Sequence, residues 1–401
     1  PRVSSMSIER NARLFVWSNG LQNIGDQLVS GKTVLPWLFS ALGVPPFFTA
    51  LLVPLREAGS MLPQAALTPW VTGHAHRTRL WVLGSLGQGL CGMVIVAAAA
   101  LADAWVLGLV VVLALAALAV FRALCSLTGK DVQGRTIPKG DRGAVTGRAA
   151  ELGGAVTLAV GAVLWWMGEL SRGEAVGLLA IGAATWFIAA VVFRGIAEPP
   201  ETASEGGIGK RDWWQETWGL FTGDRAFREF VTVRSLLLVT ALSTSFIVML
   251  AGNTLTGLAG FVLASGLSGL IGGRLSGVWS DRSSRLVMSW GALCATLIIA
   301  VLVAWTWPAW VYAVGFFAVN LAHTAIRVAR KTYVVDMAGD DKRTLYVGAA
   351  NTMMGVILLG VGGISAVIAL AGPRVALVFL AAIGLLGAWR ARKLPEVSLA
   401  G

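Results

Sequence analysis

Asp26, Lys32, Arg56 and Glu57 are charged residues set inside runs that are otherwise apolar. A charge at the centre of a bilayer opposes insertion by about 2.5–3.5 kcal/mol, so such groups face a cavity or a partner and are functional candidates by default. Asn19, Gln22, Asn23 and Asp26 recur at i, i+3, i+4 and i+7, which on a helix is one stripe. Lys32 follows about 9 Å further along at 1.5 Å per residue. Arg56 and Glu57 stand between Pro54 and Pro63. As neighbours they point about 100° apart, so one is expected to meet the stripe and the other a different helix. Two chemistries are open. Asp26 can pair with Arg56 and hold helices together. Alternatively Asp26 or Glu57 carries a proton, because a carboxyl in low dielectric can change charge near physiological pH whereas an arginine cannot. Protonation would then release Lys32 or Arg56 to an anionic substrate.

Further polar residues sit in later apolar runs. Asn320, His323 and Arg327 fall at i, i+3 and i+7, and His323 is placed to relay a proton or to pack through a hydrogen bond. Asn351 is a further candidate for lining a cavity. Arg122 and Glu151 lie at similar depth, which suggests a gate-stabilising pair, the alternative being an Arg122 that snorkels to the interface. Ser235, Thr240, Ser243, Thr244 and Ser245 either line a cavity or bond back to their own helix. Gly31-Lys32-Thr33 resembles the end of a phosphate loop, but Asp26 stands where that motif needs glycine. No nucleotide, metal or other cofactor is expected, and Cys91, Cys125 and Cys294 are isolated thiols in apolar runs.

The elements carrying these residues are long and apolar. The 401 residues are 56% hydrophobic and 13% charged, too few polar groups to cover a soluble enzyme. Twelve segments can span about 30 Å of hydrocarbon: 14–40, 47–71, 80–100, 105–128, 144–167, 176–196, 230–250, 255–279, 286–304, 310–328, 345–371 and 375–389. Continuous apolarity without alternation favours helices over barrel strands. Of the 32 lysines and arginines, 22 fall in the two tails and the loops on one side, and Arg172 and Arg374 alone fall on the other. That bias predicts cytoplasmic termini and explains the net charge of +11 without nucleic acid. The connection 197–229 divides the chain into two groups of six segments, 12–196 and 230–393. Within it, Trp214, Trp218 and Phe221 at i, i+4 and i+7 predict a helix lying in the membrane interface. Gly147, Gly154 and Gly161 return as Gly348, Gly355 and Gly362 at a constant offset of 201 residues, which suggests a parallel duplication of the halves.

The loop after segment 8 reads GVWSDRSSR, with Gly277, Asp281, Arg282 and Arg285. Together with the twelve segments, it resembles the major facilitator superfamily and its G-x-x-x-D-R-x-x-R loop. The first-half equivalent, GHAHRTR, keeps Gly73, Arg77 and Arg79 but lacks the aspartate. The resemblance implies an all-α polytopic membrane protein, two six-helix pseudo-symmetric bundles that rock about a mid-membrane cavity, and a cytoplasmic gate held by the basic residues of these loops. Segment 5 reads ELGGAVTLAVGAVLWW, lacking the proline of the drug/proton antiporter branch, and sugar-porter signatures are not apparent. The preferred reading is a proton-coupled secondary transporter of a small organic anion, a monomer surrounded by lipid. The alternative is efflux of lipophilic compounds by proton antiport.

Overall fold

A computed structural model describes residues 5–72, 74–136, 142–167, 171–198, 213–252, 255–337 and 343–397. Among these every regular element is helical. The first segment does not run unbroken as expected, and Pro36, which lacks the N–H that would bond the carbonyl of residue 32, falls in the first turn of a second helix, where that donor is not needed. It divides into α1 (Ser5–Leu28) and α2 (Val34–Ala41), with a turn over 29–33 that carries Lys32. Pro63 likewise separates α3 (Pro46–Met61) from α4 (Gln64–Thr72). Then come α5 (Arg77–Leu101), α6 (Ala104–Thr136), α7 (Arg142–Met167) and α8 (Arg172–Phe193). A short helix α9 (Trp213–Gly223) follows, with Trp214 and Trp218 exposed and their rings 6.1 Å apart. The seventh segment is also broken, into α10 (Arg225–Leu236), capped by Asp224, and α11 (Val239–Ala251). The chain continues through α12 (Leu255–Ala304), interrupted by an extended Ser283, then α13 (Ala309–Met337), α14 (Arg343–Ile368) and α15 (Pro373–Arg392).

Helices lie at all twelve expected positions, and eight among the described residues are long and apolar enough to cross a membrane. The positions that fall short are α1 with α2, α3 with α4, α7, and the first half of α12. These wall the cavity described below, and a span that faces a cavity need not be apolar all round.

The repeated glycines have a packing role. A Cβ on Gly161 would stand 2.8 Å from Leu263, and one on Gly154 3.1 Å from Leu270, so α7 presses onto α12. In the same way Gly355 of α14 would meet Leu62 at 2.5 Å, and Gly362 would collide with the Pro54 ring of α3. Each glycine pair lets one part of the chain approach the other. Gly147 and Gly348 lie outside the residues whose surroundings are described. Arg172 and Arg374 repeat as well: Arg172 bonds the Ala99 carbonyl and Asp103 at 2.7 Å each, and Arg374 bonds Thr306 at 2.8 Å.

The apolar core is asymmetric along the helix axes. At the end away from the termini, one continuous cluster joins Leu35, Phe39, Phe246, Phe261, Phe316 and Leu358, drawn from both parts of the chain. At the end bearing the termini, Phe15, Trp81 and Phe193 form one cluster and Phe227, Phe230 and Tyr333 another. Exposed tryptophans ring the far end at Trp105, Trp165, Trp166, Trp305 and Trp310.

Candidate functional site

Between the two parts lies a cavity of about 370 Å³, walled by α1, α3, α6 and α7 on one side and by α12 and α13 on the other. That volume suits a small solute. Asp26 is its hub. One carboxylate oxygen accepts a hydrogen bond from Arg56 Nη2, and the other lies 2.7 Å from Arg122 Nη2. Arg122 also donates to Gln22 Oε1, and the buried Gln22 amide reaches Ser85 Oγ and Cys125 Sγ at 3.4 Å. Arg122 therefore points inward rather than snorkelling to the interface, and the side chain of Glu151, its expected partner, lies outside the described residues. Depth in the membrane put Arg122 level with Glu151, and the structure adds its contacts with Asp26 and Gln22 of α1.

Glu57 Oε1 stands 3.3 Å from Lys32 Nζ. Arg56 and Glu57 thus both meet the first segment, against the expectation that they would address different helices. The break over 29–33 is the reason: it takes Lys32 off the helical stripe and presents it to the second neighbour. Arg56 also lines the cavity, and its Nη1 is buried with no hydrogen-bond partner among the described residues.

Across the cavity stand Asn320, His323 and Arg327 of α13, with His323 Nδ1 3.0 Å from Thr240 Oγ1. Asn23 lines the cavity as expected of the stripe, whereas Asn19 donates to the Phe15 carbonyl of its own helix and does not. Asn351 is also elsewhere, accepting 2.9 Å from Arg234. Thr244, Ser245 and Ser235 bond back to their own helices. The described lining holds four cations, Lys32, Arg56, Arg122 and Arg327, against two carboxylates, Asp26 and Glu57. With more cations than carboxylates in its described lining, the arrangement can accept negative charge.

Sequence reasoning missed Gln27 and Ser265, which bridge α1 and α12 at 3.2 Å and also line the cavity. Gln27 falls off the single stripe, and Ser265 is one hydroxyl in a serine-rich helix. It missed two glutamates at the end bearing the termini as well. Glu198, just past α8, accepts from the Thr78 amide at 3.0 Å, the Thr78 hydroxyl at 2.8 Å and Arg135 at 3.2 Å. Glu396, just past α15, accepts from Ser283 at 2.5 Å and Arg285 at 3.0 Å. Each follows or precedes a proline directly after the final helix of its part, and that recurrence is the available signal. Of the motif residues, Arg77 pairs with Asp131 at 3.3 Å, Arg285 joins Glu396, and Arg79 and Arg282 are exposed. Gly73 and the side chain of Asp281 lie outside the described residues, as do the surroundings of Gly277.

The Major Facilitator Superfamily profile matches residues 30–359. No curated protein matches the chain. Among solved structures, a D-xylose–proton symporter superposes with a TM-score of 0.76 at 12% identity, over 98% of this chain and 99% of that one. The nucleoside transporter NupG gives 0.72 at 12% identity, over 96% and 99%. A POT family transporter in complex with 5-aminolevulinic acid gives 0.71 at 10% identity, over 95% of each. At such identities the likeness is one of fold, and these neighbours share an architecture while differing in cargo. With residues 30–359 inside the family profile and eight membrane-length apolar helices among the described residues, this integral membrane protein belongs to the major facilitator superfamily of transporters.

Proposed function

We propose that the protein is a proton-coupled secondary transporter of small organic anions, working by alternating access across the cell membrane. The observation that carries this reading is Asp26 held between Arg56 and Arg122 in a cavity where Arg56 Nη1 has no described partner. While Asp26 is ionised it occupies both guanidinium groups. Protonation removes its charge, and the arginines are then free to take the carboxylate of a substrate, so proton and anion load together. Glu57 and Lys32 form a second, parallel pair, and His323 faces the same space as a candidate relay. The lipophilic-efflux alternative draws no support from the lining, where Val53 is the one large apolar side chain among the described residues.

In this reading all twelve segments are spans, residues 12–196 and 230–393 are the rocking halves, and α9 lies in the cytoplasmic interface. The cation bias favours cytoplasmic termini. The shared core at the far end and the separate cores at the end of the termini favour a state closed to the outside and able to part toward the cytoplasm.

The test is transport in proteoliposomes. Counterflow of small carboxylates, set against lipophilic cations, identifies the cargo class. Asp26→Asn should abolish accumulation driven by a proton gradient while leaving exchange measurable, and Glu57→Gln should be milder. Gradient-driven accumulation retained in both variants would reduce these carboxylates to structural ion pairs.

A further inference from the structure

Arg330 was counted from sequence among the loop cations, yet it is buried in α13, only 8% exposed. Its Nε has no hydrogen-bond partner among the described residues. Arg234, at the end of α10, is 7% exposed, and its Nε is also without a described partner. Its Nη2 donates to Asn351 Oδ1 of α14 at 2.9 Å. Phe230 of α10 stacks on Tyr333 of α13 with ring centroids 5.2 Å apart, and Arg234 and Arg330 lie one helical turn from these two rings on the same helices, beside that contact. His323, Arg327 and Arg330 fall at i, i+4 and i+7 on α13, so the basic stripe that begins in the cavity continues one turn toward the end bearing the termini. Neither Arg234 nor Arg330 forms an ion pair with a described carboxylate. Two neighbouring guanidinium groups desolvated in this way repel each other, and an anion between them would relieve both the repulsion and the orphaned donors.

We infer that Arg234 and Arg330, with Asn351, form a second oxyanion site between α10, α13 and α14, separate from the Asp26 cavity. It would hold the carboxylate or phosphate group of a small solute on its way between that cavity and the end of the termini. Guanidinium groups match such groups with paired N–H donors, and the Asn351 amide supplies one donor more. The site goes beyond the proposed transport reading and does not depend on proton coupling at Asp26.

Thermal melting of the purified full chain tests it, with chloride replaced at constant ionic strength by phosphate in one arm and acetate in the other. Wild type should melt higher in at least one of the two. Arg330→Met should melt no lower than wild type in chloride, because a buried cation with an orphaned donor and no ion pair to a described carboxylate has been removed, and its half-saturating oxyanion concentration should rise at least about tenfold. Arg234→Met should behave alike, whereas Arg122→Gln, in the central cavity, should keep the oxyanion shift. Three results would overturn the site: no shift with either oxyanion in wild type, a half-saturating oxyanion concentration in Arg330→Met equal to that of wild type, or Arg330→Met melting lower or failing to fold in chloride, which would make Arg330 a structural partner. A shift lost in Arg122→Gln and kept in Arg330→Met would assign oxyanion binding to the Asp26 cavity alone.

Discussion

Asp26 illustrates both what residue type reveals and what it leaves out. The energetic penalty of charge in hydrocarbon singles out Asp26, Lys32, Arg56, Glu57 and His323 without any structure, and all five line one cavity. Their partners were less legible. The Asp26–Arg56 pair follows from depth, but the second arginine on Asp26 comes from α6, about a hundred residues away, and depth alone gives no azimuth. The pairing yields a direct expectation. Asp26→Asn and Arg122→Gln should be coupled by about 1–3 kcal/mol in a double-mutant cycle of unfolding stability, because Asp26→Asn leaves Arg122 without its carboxylate and the double change removes that stranded cation. Additivity within about 0.5 kcal/mol would show that the 2.7 Å contact does not bind the two energetically.

Helices were legible as apolar runs, and their breaks only in part. Pro36 and Pro63 mark two interruptions, whereas the one at 237–238 falls in a run of leucines with neither proline nor glycine to announce it. The glycine repeat was visible as an interval, and its purpose emerges from the crossings of α7 with α12 and of α14 with α3. Gly362→Ala should therefore lower stability by about 1–3 kcal/mol, since its Cβ would enter the space of the Pro54 ring. Gly363→Ala, with nothing within 4 Å of the new atom, should be neutral or slightly stabilising. Equal melting temperatures for the two variants would remove the close-packing account. The glutamates past α8 and α15 give a parallel expectation. Glu198→Ala leaves the Thr78 amide without its acceptor and Arg135 without its ion pair, and should cost about 1–2 kcal/mol. An unchanged melting temperature would mean that water replaces the carboxylate without loss.

Assembled, the molecule places a basic cavity between two parts that share a core at one end and keep separate cores at the other. Composition and the apolar segments identified a polytopic helical protein, and the spacing of its polar residues identified α1, α3 and α13 among the helices that meet at the cavity, but not α12. What sequence could not supply is which of those residues touch, because the break over 29–33 and the crossings between parts reset the helical stripes. The cavity and its shared carboxylate make proton movement with an organic anion the central claim. It is tested most directly in proteoliposomes containing a pH-sensitive dye, to which small carboxylates are added one at a time. The account predicts that at least one carboxylate carries protons inward with wild type, and that Asp26→Asn abolishes this acid pulse while counterflow of the same carboxylate persists. An acid pulse of equal size in Asp26→Asn, or no pulse with any carboxylate while lipophilic cations exchange with protons, would contradict it.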